Sequence, residues 1–483
     1  MSSDSSSGSN DSAASIAVIG GGITGLASAH RLMELSQHDG RSVSIQLLEA
    51  SGRLGGVFGT ERIGEYLIER GADSFITNKP GAIQLCERLG LSEQIISTNE
   101  KYRRSLILHH GKPVPTPAGF NLLAPSQIWP MVTTPLLSWR GKLRVAKEYF
   151  LPANAPPGDE SLADFVRRRF GQEALDRIVQ PMVGGIYTSD PEKLSLRATL
   201  PRFPEMERDH GSVIRGLRRS AANASESASG ARYGLFASLR DGMSTLLDAL
   251  GKQIQKSHQL ELGQRVDSVH QLADGTWTIQ LSDGTPRPGF AAVILALPTY
   301  RAASLLEPVS TELATSLNQI EYASSAIVVT GHSLADIEHP LDAFGLVIPH
   351  CEGRRILATS FLSRKLDGRA PMGKVILRTF VGGAMQPEEY EHSDGEVIET
   401  VLAELHSIFG VKGEPDFAVV ARYPQGMPQY TIGHLDRVAE IQRLAKSFPT
   451  LALAGNGYRG VGLPDCIQSG ETAAEKIWAT LTP

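Results

Sequence analysis

Cysteine is scarce in this chain. Its three thiols, Cys86, Cys351 and Cys466, are far apart and lack metal-ligand spacing, which excludes a disulfide framework and argues against a zinc site. They read as buried structural thiols in a reducing compartment. Positive charge is not in excess either, with 47 Lys and Arg against 52 Asp and Glu for a net charge of -5. Without a basic stripe, nucleic-acid binding has no support. No stretch reaches the roughly 18 apolar residues that span a bilayer. The longest strongly apolar run, 291–298, reads as a buried strand. The opening residues, MSSDSSSGSNDSAAS, have no basic or apolar segment of the kind a secretory signal carries. Residues 1–14 are expected to be disordered, because they offer almost nothing apolar to bury. Thirteen histidines show no HExxH spacing, and no Ser-His-Asp set or paired-carboxylate motif emerges, so no metal is expected.

What is present is material for two or three domains in 483 residues, 41% of them hydrophobic and 20% charged. A β-branched run at 15–19 reads as a buried parallel strand. A glycine turn, a helical segment at 26–35 and a second strand at 42–49 complete a βαβ half. Residues 241–255 read as helix, and 261–271, 277–281, 291–297 and 451–455 as strands, with Asp283-Gly284 marking a turn. The middle differs. Between 111 and 157, prolines interrupt a series of large apolar residues that includes Phe120, Trp129, Leu136 and Trp139. Arg140, Lys142, Arg144 and Lys147 follow. Two readings stay open: a monotopic membrane patch with a basic rim, or a helical subdomain buried over the active site. Residues 220–231, rich in Ser and Ala, read as a flexible surface loop.

The strongest motif lies at the first turn. Gly20, Gly22 and Gly25, enclosing Ile23 and Thr24, satisfy GxGxxG directly after a strand and before a helix. The first glycine makes the tight turn, the second admits pyrophosphate to the backbone, and the third lets helix and strand pack. The helix N-terminus then faces the phosphates. Glu49 closes the second strand 24 residues beyond Gly25, where an acid would bind ribose hydroxyls. Ala50, Arg53, Gly55 and Gly56 continue an E-A-x-x-R-x-G-G string. Its arginine can contact pyrophosphate, and its paired glycines let a long cofactor pass close to backbone.

That string resembles the FAD flavoproteins that include monoamine oxidases, phytoene desaturases and porphyrinogen oxidases. Three further segments sharpen the likeness: Gly71-Ala72-Asp73-Ser74-Phe75, the run from Gln180 to Ser195, and the string from Gly455 to Ile467. Together they resemble the oxygen-dependent protoporphyrinogen and coproporphyrinogen oxidase family. The resemblance implies an α/β architecture. A Rossmann-type FAD-binding domain of the monoamine-oxidase kind would be assembled from 15–85, 235–300 and 440–483. A mixed-sheet substrate domain would span 300–440 and a helical domain 100–215, with membrane attachment of the latter left open. It implies six-electron oxidation of protoporphyrinogen IX through FAD, with O2 reduced to hydrogen peroxide, in haem biosynthesis. Coproporphyrinogen III is the alternative substrate. Amine oxidation, or an inactive FAD- or tetrapyrrole-binding carrier, are the rivals. Gly71, Ala72, Asp73 and Ser74 carry over as flavin-proximal, with Ala72 replacing the commoner proline. Val266 carries over as an adenine contact, and Gly455, Val461, Gly462 and Leu463 as the loop against the flavin. Arg104 matches a propionate-binding arginine, and Leu346 and Phe361 are candidates for contact with the macrocycle. No side chain is expected to act as acid, base or nucleophile, because flavin N5 carries the chemistry. His434 reads as structural. The resemblance also leaves open a homodimer, hand-over of product to a ferrochelatase, and a cytoplasmic location with peripheral attachment to the inner face of the membrane.

Overall fold

The computed structural model describes residues 13–127, 129–223 and 236–481. Residues 1–12 of the stretch expected to lack structure, and 224–231 of the expected surface loop, lie outside them. Ala14 already belongs to the first strand. Residues 220–223, expected in that loop, instead close the helix Val213–Asn223.

A parallel five-stranded sheet forms one half of the molecule. Its order is Gln259–Glu261, Val43–Leu48, Ala14–Ile19, Ala292–Leu295 and Leu451–Leu453. Covered on both faces, its inner strands are largely apolar rather than alternating. Ile16 and Val18 pack beneath helices Ile23–Asp39, Ser244–Gln255 and Leu463–Leu481. Ala17 and Ile19 pack on the other face, against an antiparallel meander (Val266–Gln271, Trp277–Leu281, Pro286–Phe290) and helices Thr299–Leu306, Thr311–Asn318 and His434–Ala445. The first and last helices cross where Gly470 leaves no room for a side chain: a Cβ there would lie 2.2 Å from the Thr24 carbonyl oxygen.

The second sheet has seven strands in the order Phe417–Pro428, Tyr322–Ser333, Lys374–Gly382, Ala358–Phe361, Gly345–Val347, Leu106–His109 and Lys112–Pro115. Only the pairing of Gly345–Val347 with Leu106–His109 is parallel. Helix Asp394–Phe409 covers one face, resting on Leu346, Phe361, Leu377 and Val381. A separate apolar core joins short helices between Trp129 and Leu217. The proline-broken stretch has both buried and outward-facing apolar side chains. Met131, Leu136, Leu137 and Val145 are buried in that core, whereas Trp129, Trp139, Leu143 and Phe150 face outward. Of the thiols, Cys86 and Cys466 are buried; Cys351 is exposed, contrary to expectation.

Candidate functional site

The glycine loop sits at the carboxyl end of Ala14–Ile19, where ligands enter open parallel sheets. Gly20 adopts φ +111°, and a Cβ there would come within 2.4 Å of the Ala296 carbonyl oxygen. A Cβ on Gly25 would lie 1.9 Å from the Gly20 carbonyl oxygen. Those two glycines are therefore demanded by the fold. Gly22 is not, because nothing lies within 4 Å of the space its Cβ would occupy. It stands at the start of the 17-residue helix Ile23–Asp39, which has no side-chain cap and no acid in its first turn. An open cradle facing uncapped N–H groups is a site for a diphosphate. Ile23 and Thr24 are buried beneath it.

Glu49 follows the neighbouring strand. It accepts hydrogen bonds from the backbone N–H of Gly21 at 2.7 Å and of Ser51 at 2.8 Å, with exposed Ala50 between. The next loop folds against this one: Gly55 donates to the Gly21 carbonyl at 2.9 Å and bridges Gly22. Gly55 and Gly56 both have positive φ, as the turn requires. Arg53 donates to the carbonyls of Leu54, Phe58 and Gly56 at 3.2, 2.6 and 2.7 Å. Its guanidinium fixes the loop from within.

A third segment packs on this loop. A Cβ on Gly71 would lie 1.9 Å from the Val57 carbonyl oxygen, so the turn from Gly71 through Ala72 to Ser74 lies against residues 57 and 58. Asp73 is buried and doubly paired, to Lys365 Nζ and Arg378 Nη1, each at 2.7 Å. The Ser74 hydroxyl donates to it at 2.7 Å. Burial alone would raise its pKa, but the two cations and Ser74 hold its carboxyl well below the usual range. Both cations come from the seven-stranded sheet region, and neither was singled out in the sequence. An arginine inside the apolar strand KVILRTFVG was the available signal, since a charge midway along a buried strand needs a partner.

The fourth segment follows Leu451–Leu453. Gly455 adopts φ +137° and donates to Ser469 Oγ at 3.0 Å. Val461 packs against the helical core, Gly462 turns the chain, and Leu463 starts the last helix, buried against the five-stranded sheet. Behind this loop, Tyr430 stacks on His434 with ring centroids 3.9 Å apart. The Tyr430 hydroxyl donates to the Asn456 carbonyl at 2.5 Å, and His434 Nε2 donates to that of Tyr458 at 2.9 Å. Burial lowers the His434 pKa to about 4, keeping the ring neutral. Val266 is buried in the meander opposite Leu281, two residues beyond Gln264, whose N–H donates to the Glu49 carbonyl at 2.8 Å. The structure thus brings 20–25, 49–56, 71–74 and 455–463 to one end of the parallel sheet.

The three substrate candidates fall elsewhere. Alternation along the strands sends Leu346 and Phe361 into the core beneath helix Asp394–Phe409. Arg104 pairs with Asp342 and donates from Nε to that residue's carbonyl at 2.7 Å. It lies near His339, whose ring meets Phe409. The Leu346 and Phe361 side chains thus lie on the sheet face opposite to Arg378, which meets the turn 71–74. The residues sharing the Arg378 face are Gly345, Val347, Ala358, Ser360 and Phe380, by cross-strand pairing. Gly345, Val347, Ser360 and Phe380 are half-buried while their alternates Leu346, Thr359, Phe361 and Thr379 are buried. That mostly apolar strip is incompletely covered, with Val347 packing against the helical core.

A parallel sheet with an uncapped glycine-rich turn, an acid at the next strand and a second glycine loop defines a dinucleotide flavoprotein, and the donor set fits FAD. The chain belongs to the family described as flavin containing amine oxidoreductase, which matches residues 23–478. It is 33% identical over 460 residues to a coproporphyrinogen III oxidase of Bacillus subtilis (strain 168), covering 95% of this chain and 96% of that one. It is 28% identical to the chloroplastic protoporphyrinogen oxidase 1 of Arabidopsis thaliana, covering 95% and 87%. A solved structure from Exiguobacterium sp. 255-15, described as a candidate protoporphyrinogen oxidase, superposes with a TM-score of 0.85 at 29% identity, covering 97% of this chain and 99% of that one. The cofactor is FAD and the chain is a flavin-dependent oxidoreductase.

Proposed function

We propose that the chain oxidises a porphyrinogen to the corresponding porphyrin, with coproporphyrinogen III as its substrate. The observation that carries this is the likeness to the Bacillus subtilis enzyme, 33% identical over nearly the whole of both chains. Bound FAD supplies the electron acceptor and returns the electrons to O2 as hydrogen peroxide. The protein's share is placement. Gly22 and the first turn of Ile23–Asp39 hold the diphosphate, and Glu49 takes ribose hydroxyls. Arg53 sets the loop 53–58, and the Asp73 carboxylate ties the turn 71–74 to the second sheet. The half-buried strip of Val347, Ser360 and Phe380 offers a flat macrocycle an apolar floor. A macrocycle whose own N–H groups can rearrange needs no acid–base dyad from the protein.

Protoporphyrinogen IX, placed first on sequence alone, becomes the second reading, supported by the Arabidopsis relative. Aerobic oxidation of both porphyrinogens by the purified holoprotein, followed by porphyrin fluorescence and peroxide, separates them. Coproporphyrin formation faster by about tenfold or more supports the proposal, a difference of about 1.4 kcal/mol in transition-state binding. The reverse ratio selects protoporphyrinogen IX. No porphyrin from either, on protein that retains FAD, overturns both. Arg104→Ala is expected to leave kcat/KM within about twofold, because its partner is Asp342.

A further inference from the structure

The half-buried strip of the seven-stranded sheet ends at Gly345 and Ser360, which pair across neighbouring strands. Arginines reach this end from two segments. Strand Leu106–His109 is entered through Tyr102, Arg103 and Arg104, and the Phe344 N–H donates to the Arg104 carbonyl at 2.8 Å. From the other side, strand Ala358–Phe361 leads straight into the short helix Leu362–Lys365. The two segments meet. The Asn99 N–H donates to the Lys365 carbonyl at 2.9 Å, and Arg364 donates from Nη1 to the Tyr102 hydroxyl at 3.2 Å. The Arg364 guanidinium lies 5.0 Å from the centroid of the same ring. Leu362 packs with Ile327, Val329 and Ile376, so this helix lies on the sheet face that carries Arg378, away from helix Asp394–Phe409. Arg104 turns the other way, to Asp342.

Cations outnumber acids here. Lys365 is committed to Asp73 at 2.7 Å, and Asp367 accepts from the Asn99 amide at 2.9 Å. Lys101 Nζ lies 5.3 Å from the centroid of the Tyr102 ring. Arg103 pairs with Glu100 at 3.1 Å, but Glu100 is 84% exposed and holds it weakly. Among the described residues, Arg364 pairs with no acid. The Nε–H groups of both Arg103 and Arg364 are buried without a hydrogen-bond partner, and a buried donor left unmet is costly. A guanidinium presents paired N–H groups that match a carboxylate in two parallel hydrogen bonds.

We propose that Arg364, together with Arg103, binds a peripheral carboxylate of the substrate macrocycle where the apolar strip ends. This rests on the porphyrinogen reading and gives it a specificity. Coproporphyrinogen III carries more propionate side chains than protoporphyrinogen IX, and cations at the rim of an apolar floor favour the more heavily carboxylated ring.

The test is titration of the oxidised holoprotein with coproporphyrin III and with its full methyl ester, which keeps the ring and removes the charge, read by porphyrin fluorescence. Arg364→Gln should weaken coproporphyrin III binding by about tenfold or more, leave the ester within about twofold, and raise KM more than it lowers kcat. Arg364→Lys should recover part of the affinity. Arg103→Gln should lose part of it, and tests the same site if Arg364→Gln lowers the thermal midpoint. Arg104→Ala, on the other face, is the unaffected comparison. Affinity within about twofold of wild type in both glutamine variants overturns the proposal, as does wild type that binds the ester as tightly as the acid. Equal loss of acid and ester binding in folded, FAD-loaded variants makes the arginines structural and overturns it too. Wild type that binds coproporphyrin III through Arg364 but forms no porphyrin from coproporphyrinogen III upholds the carboxylate site and overturns the activity instead.

Discussion

Gly22 and Gly25 share one motif but meet different constraints. The Gly25 Cβ position is 1.9 Å from backbone oxygen, which cannot be relieved by a side-chain rotation. Gly25→Ala is expected to destabilise the protein by about 3 kcal/mol or more, read as a lowered thermal midpoint. Gly22, at φ -73° with open space beside it, tolerates a side chain sterically. Gly22→Val should fold with unfolding of the apoprotein changed by about 0.5 kcal/mol or less. Its FAD content should fall sharply in the visible spectrum, because the valine fills the diphosphate cradle. His434 makes a different prediction. Its ring is fully buried, and burial lowers its pKa from 6.5 to about 4. The unfolded chain takes up the proton first, so the His434 contribution is fully present above pH 6.5 and is lost as pH falls toward 4. At about 1.4 kcal/mol per unit this amounts to roughly 3 kcal/mol. Urea unfolding at neutral and acid pH should show that slope, and His434→Asn should reduce it. His332, also lowered to about 4 by burial, should retain its own share.

Among the elements, the helical core depends on one buried arginine. Arg169, at the end of helix Leu162–Arg169, pairs with Glu148 and, at 3.2 Å, with Glu207. It also donates to the carbonyls of Pro152 and Gly211 at 2.8 and 2.9 Å. Glu148 in turn accepts from the backbone N–H groups of Val213 and Ile214 at 2.9 and 3.2 Å, satisfying the first turn of Val213–Asn223. Arg169→Met leaves carboxylates buried without their cation. It is expected to cost about 3–5 kcal/mol by denaturant unfolding. None of this was legible in the sequence, where Arg169 is one of three consecutive arginines; burial separates it from its neighbours. The elements of the nucleotide fold were legible. The expected strand at 277–281 coincides with Trp277–Leu281, and the helix expected at 26–35 is longer, Ile23–Asp39. These stretches carry their periodicity and turn residues locally. The residues 346 and 361 were misplaced because apolar composition shows that a strand is buried, not which face each side chain takes.

At the scale of the whole molecule, the Asp73 carboxylate is the joint between the turn 71–74 and the seven-stranded sheet. Its two partners lie 292 and 305 residues away in the chain, and Arg378 also donates to the Gly71 carbonyl. Asp73→Ala leaves buried Arg378 and half-buried Lys365 without their carboxylate and should destabilise the protein by about 3–5 kcal/mol. If the joint positions the turn 71–74, the variant should also release FAD at a denaturant concentration below that of global unfolding, seen as recovery of flavin fluorescence. The sequence by itself determined the nucleotide fold, the FAD cofactor and the family, because glycine spacing, a strand-end acid and strand periodicity are local constraints written in consecutive residues. Only the tertiary structure decided that Asp73 is held by Lys365 and Arg378, that Arg104 is engaged by Asp342, and which apolar residues of 129–150 face outward. Each of those depends on distant segments meeting and on which side of a packed layer a side chain falls. Neither is encoded by the neighbours of a residue along the chain.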